Sequence, residues 1–170
     1  GRGYRDSLKI LQHYIPFKIL RFKSLENVYD WKIPMEWVIN GAYIISPEGK
    51  KIVDFNDNNL HVIGYSAPIK RKIELEELKK HLYTQKDEKN AIPYVTSYYK
   101  KNWGFCISHN QYVKLKKGSY KILIDSKFVN GRLEVGEKIL KGRRKDEILI
   151  STYLCHPSMA NNELSGPLVM

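Results

Sequence analysis

Three side chains near the end of the chain stand at a spacing that allows joint chemistry. His156 is followed six and seven residues later by Asn162 and Glu163. An imidazole, an amide and a carboxylate so placed can supply nitrogen and oxygen donors to one point in space. The stretch before them, Glu147-Ile148-Leu149-Ile150, is apolar and β-prone and holds no Gly or Pro. It predicts a buried strand. The chain then turns to Pro, Ser, Asn and Glu, which predicts a loop, with His156 where the strand gives way. In an open α/β sheet, ligands bind just outside the carboxyl ends of strands. A packed His bonded to backbone is the plainer alternative for His156. Cys155 would point to the opposite face of such a strand. It reads as a small buried apolar residue.

The run from Ser151 to Pro167 resembles the metal-binding turn of the predicted zinc aminopeptidases with a DUF4910/DUF2172 architecture, relatives of the M28 clan of co-catalytic zinc exopeptidases. In that clan a strand delivers a His ligand, and a later Asn-Asp-Asn-x-Ser-Gly turn delivers an Asp that bridges two zinc ions. The resemblance implies that His156 is a ligand. It aligns Asn161, Asn162, Ser165 and Gly166 with the turn, and Asn162 with the bridging Asp. A neutral amide bridges two cations less well than a carboxylate. Glu163 is the alternative donor, one residue on. The implied metal set is therefore His156 with Asn162 and Glu163, holding one or two zinc ions. Gly1-Arg2-Gly3-Tyr4-Arg5 resembles the Gly-x-Gly-x-Arg segment near the start of the same family, and Asp30-Trp31-Lys32-Ile33-Pro34 resembles the entry to its DUF2172 region.

The resemblance covers essentially the whole chain but only an N-terminal portion of the family's length. It implies a hydrolase that cleaves an amide bond of a peptide, with the general base and remaining ligands beyond Met170 and therefore unassigned. The 170 residues alone are expected to be inactive. A second implied reading is an amidohydrolase acting on a surface polysaccharide or its precursor. A third is a non-catalytic binding module.

Composition bounds the rest. The hydrophobic content of 42% supports a real core, and the 28% charged content is ordinary for a soluble protein. No segment approaches the ~20 apolar residues of a membrane helix. No signal-peptide pattern opens the chain. Two cysteines, Cys106 and Cys155, are too few for a disulfide framework. A cytoplasmic location is the expectation, with a homo-oligomer left open. The net charge of +11 comes from dispersed Lys. Without a nucleic-acid-binding signature it reads as a solvated surface rather than a nucleic-acid face.

The elements that must position the three donors follow from periodicity. Leu8, Leu11 and Ile15 recur at helical spacing and predict a helix from Tyr4 to Tyr14, ended by Pro16. A strand follows at Phe17 to Phe22. Strands are expected over Glu36 to Ile45, Lys51 to Phe55 and Leu60 to Ser66, with Ser46-Pro47-Glu48-Gly49 as a turn. A short helix is expected from Ile73 to Tyr83, with Leu75, Leu78 and Leu82 on one face. Ser108 caps a helix to Leu115, closed by Gly118. Tyr120 to Val129 and Leu133 to Leu140 predict a hairpin through Asn130-Gly131. The aromatic-rich residues from Ile92 to Ser108 suit a small β core or a ligand surface.

The fold class is thus α/β: a partial zinc-peptidase-like α/β layer with an inserted small β-rich domain. Residues 1–33 open the layer, 34–145 form the insert, and 146–170 return the strand and metal-binding turn.

Overall fold

The structure is a computed structural model that describes residues 1–170 except Cys155, Pro157 and Ser158. The expected buried character of Cys155 therefore lies outside the described residues. The fold is mixed α/β with several small sheets.

Helix α1 spans Arg2–Tyr14, and Pro16 follows it. Its inner face is held by buried Leu8. Strand β1, Lys18–Lys23, leads on to a small hairpin of β2, Asn27–Val28, and β3, Trp31–Lys32. Strands β4, Glu36–Ile45, and β5, Lys51–Asp54, pair antiparallel through the expected turn, where Gly49 has φ of 80°. Only Gly adopts that backbone without strain. After a short 3-10 turn at Asn59–His61 comes β6, Ile69–Glu74, then α2, Leu75–Lys79. Strand β7, Leu82–Tyr83, pairs parallel with β8, Phe105–Cys106. Helix α3, His109–Tyr112, carries a full capping box: the Ser108 hydroxyl accepts from the Gln111 N–H, and the Gln111 side chain accepts from the Ser108 N–H. Then come β9, Ser119–Val129, β10, Arg132–Glu137, and α4, Ala160–Val169.

The chain divides into two compact units, Trp37–Lys127 and the pair of segments Gly1–Glu36 with Phe128–Met170. The first holds a four-stranded sheet in the order β5-β4-β9-β6. Its core joins Ala42, Ile44, Val53, Leu78, Phe105, Ile107, Tyr120, Ile122 and Ile124. Alternate residues 120, 122 and 124 of β9 face that core, as the two-residue period of a strand requires.

The second unit is tied by β1 pairing antiparallel with β10. The Glu134 carboxylate is almost wholly buried there. It accepts from Arg21 Nε at 3.1 Å and lies 2.7 Å from Arg132 Nε. Glu36 is gripped by Arg5 at 2.6 and 3.1 Å and also accepts from the Arg132 backbone N–H. Tyr4 donates its hydroxyl to the Glu134 carbonyl at 2.7 Å. The Gly-x-Gly-x-Arg segment thus has a local structural role, since it supplies Tyr4 and Arg5 to this network.

Several expectations need correction. The predicted 120–140 hairpin does not close on itself: β10 pairs with β1 instead, with Phe22 opposite Leu133 and Arg21 opposite Glu134. Segment 128–145 lies in the same compact unit as β1. The helix expected over 73–83 is a five-residue helix between two strands, because Ile73 continues the β6 ladder opposite Tyr120. Leu60 to Ser66 forms a 3-10 turn and isolated bridges rather than a sheet strand. Glu147 to Ile150 forms no strand, since no neighbouring strand among the described residues completes its ladder; Ile148 and Leu149 are 90% and 91% exposed.

Candidate metal site

The loop expected after His156 is instead the start of α4. The helix begins at Ala160 and runs through Pro167 to Val169, so Asn161, Asn162 and Glu163 lie in its first turn. Proline in a helix removes one N–H and normally breaks it, so Pro167 argues locally for a loop here. Two local features accompany the early start. The Ser165 hydroxyl donates to the Asn161 carbonyl at 2.6 Å. Gly166 lets the helix lie close to Thr152, and a Cβ there would meet the Thr152 side chain.

Successive helical residues point about 100° apart, and this separates the two candidate donors. Glu163 turns inward and is buried to 3% exposure. Its Oε1 stands 4.0 Å from His156 Nε2. Asn162 turns outward and is exposed. Its Oδ1 accepts from the Tyr153 hydroxyl at 3.0 Å. The structure thus brings His156 and Glu163 together and engages Asn162 elsewhere. Tyr153 is the residue that the sequence reading passed over. Its ring lies edge-on to His156 with centroids 6.2 Å apart. The only sequence signal for it was its place three residues before the His.

The donor chemistry suits zinc, which takes imidazole nitrogen and carboxylate oxygen in tetrahedral array. Bonds of about 2.0–2.1 Å put two such ligand atoms about 3.3 Å apart. The observed 4.0 Å is within a small side-chain adjustment of that. Two protein ligands are a partial shell, and among the described residues no cluster of three or more His, Cys, Asp or Glu gathers anywhere. Held on one ion, His156 and Glu163 would leave at least two positions to other ligands, water or substrate.

No helix among the described residues is long and apolar enough to cross a membrane.

Comparison with known proteins finds relatives over nearly the whole chain. A Clostridium acetobutylicum protein described as a "Putative polysaccharide biosynthesis protein with aminopeptidase-like domain" is 45% identical over 166 residues, which are 98% of this chain and 38% of that protein. The crystal structure of a "putative peptidase" from Clostridium acetobutylicum superposes with a TM-score of 0.90 at 44% identity, covering 98% of this chain and 39% of that one. The chain therefore spans under two-fifths of the length of the relatives it matches. Residues 36–127 match DUF2172, a domain of unknown function, and that match covers more than half of the sequence: the chain belongs to the DUF2172 family.

Proposed function

We propose that this chain is the N-terminal part of a zinc-dependent, aminopeptidase-like hydrolase of the M28 clan with a DUF4910/DUF2172 architecture, cleaving an amide bond. The observation that carries the reading is the approach of His156 to a buried Glu163 at 4.0 Å on the first turn of α4. Imidazole nitrogen and carboxylate oxygen are both common zinc donors, and here the two stand close to each other. When bound, zinc would polarise the amide carbonyl and lower the pKa of a bound water. The part these residues play is to hold the ion: His156 through Nε2 and Glu163 through Oε1. Tyr153 donates to Asn162, and its ring lies edge-on beside the imidazole.

The aminopeptidase-like and peptidase wording of the two relatives supports the reaction class. The wording of the first also supports a second reading, in which the amide belongs to a surface polysaccharide or its precursor. The deciding experiment uses the full-length protein. Its metal content is measured, and hydrolysis of aminoacyl amides is compared with release of amine from N-acylated amino sugars. Zinc bound and aminoacyl amides cleaved supports the first reading; amino-sugar deacylation supports the second. A protein purified without metal and inert to both, before and after zinc is added, sinks both.

A further inference from the structure

We propose that a second site, in the Trp37–Lys127 unit, binds a sugar that carries a carboxylate or a phosphate. The site is a cleft of about 530 Å³ lined by Lys70, Arg71, Lys101, Asn102 and Trp103. That size falls within the ~300–1,000 Å³ of small-molecule sites. Lys70 and Arg71 are consecutive on β6, an edge strand of the four-stranded sheet, so their side chains leave opposite faces of it at the rim of the cleft. Lys101 comes from the loop before β8, thirty residues further on. Among the described residues, none of the three cations has a carboxylate partner within 4.0 Å, whereas many other Lys and Arg side chains do.

Lysines on an edge strand also guard against unwanted strand pairing. That explains Lys70 and Arg71. It does not explain why Lys101, Asn102 and an indole come to the same cleft. The two neutral residues are held in place beforehand. Asn102 Nδ2 donates to the Tyr83 hydroxyl at 3.1 Å. The Trp103 ring stacks on His81 with centroids 3.6 Å apart, and the His81 ring also bonds the Trp103 carbonyl at 3.1 Å. Groups fixed before binding lose little freedom on binding.

The chemistry of the lining selects the ligand. Cations in a concave surface focus potential and draw an anion in. An indole offers a flat apolar face to the C–H side of a pyranose ring, and a side-chain amide offers both a donor and an acceptor to hydroxyls. Single-stranded nucleic acid is the other polyanion to weigh. It is held by several aromatic platforms along an extended basic groove, and this cleft has one indole. The choice of a sugar over other anions rests in part on the polysaccharide reading above.

Binding is measured apart from hydrolysis, so the two ideas fail separately. Calorimetry on the full chain would compare a hyaluronan tetrasaccharide, UDP-glucose, neutral chitotetraose, inorganic phosphate and decathymidylate. The first two distinguish a glycan carboxylate from a phosphate-linked sugar. At least one of them should bind tenfold more tightly than chitotetraose, phosphate and decathymidylate. Lys101→Glu and Arg71→Glu, both at exposed positions and checked for an unchanged melting temperature, should each weaken it at least tenfold. Failure of both anionic sugars to bind, equal binding by either variant, phosphate as tight as UDP-glucose, or decathymidylate tighter than either sugar would overturn the proposal.

Discussion

His156 Nε2, ahead of α4, and Glu163 Oε1, in its first turn, lie 4.0 Å apart, while Asn162, the residue just before that carboxylate, faces Tyr153. Metal content should follow this division. In the full-length protein, His156→Ala and Glu163→Ala should each lower bound zinc several-fold, and Asn162→Ala should lower it less. Losing a ligand costs far more affinity than losing an outer partner, which typically costs ~10–100-fold. Zinc measured by plasma emission on dialysed protein checks this. A loss for Asn162→Ala as large as that for Glu163→Ala would reassign the second donor.

Gly166 offers a sharper structural test. Replacing an interior helical Gly by Ala ordinarily gains about 0.5–1 kcal/mol. Here the added methyl would run into the Thr152 side chain. Gly166→Ala should therefore destabilise, and Thr152→Gly in the same chain should recover most of the loss. Thermal unfolding of the single and double variants reads this coupling directly.

Stability should fall in acid partly through Glu36. The Arg5 guanidinium, with help from the Arg132 N–H, holds its carboxyl below the usual value, against an opposing effect of burial. A depressed folded pKa gives stability that is present above the unfolded value and is lost as pH falls through the folded one. The window therefore lies below about pH 4.5. Denaturant unfolding of Glu36→Gln should show lower stability than wild type at pH 7 and a shallower decline below pH 4.5. Parallel acid limbs for the two proteins would show that Glu36 does not carry the effect.

Cys106 should be inert while the chain is folded. It is fully buried, and desolvation pushes its thiol up to about 12. The thiolate is the reactive form. In a Cys155→Ser background, a disulfide-exchange reagent at pH 8 should label Cys106 slowly in native buffer and rapidly in guanidinium chloride. Equal rates in the two would place the thiol at the surface.

Several features were legible from local pattern alone. The α1 helix was written in Leu8 and Leu11 and in Pro16 after it, and the β4–β5 hairpin in its alternation and its Ser46-Pro47-Glu48-Gly49 turn. The Ser108 cap was legible for the same reason, since its hydrogen bonds reach only three residues along the chain. The aromatic block divided. Phe105 and Ile107 went to the core, while Tyr99 stayed at the surface, because burial depends on partners distant in sequence, such as β7 beside β8.

Strand partners distant in the chain were beyond the sequence. An Asn-Gly pair predicts a tight hairpin, yet β10 finds a better ladder on β1 more than a hundred residues away, where Arg21 meets Glu134 and Phe22 meets Leu133. The helix after His156 was missed because Pro167 argues against it locally, while Gly166 and Thr152 make room for it through a contact across the chain. By itself the sequence determined the donor types near His156 and their spacing. Only the tertiary structure decided which neighbour each side chain meets: one residue of helical rotation buries Glu163 toward His156 and leaves Asn162 to Tyr153, and that rotation depends on where α4 begins.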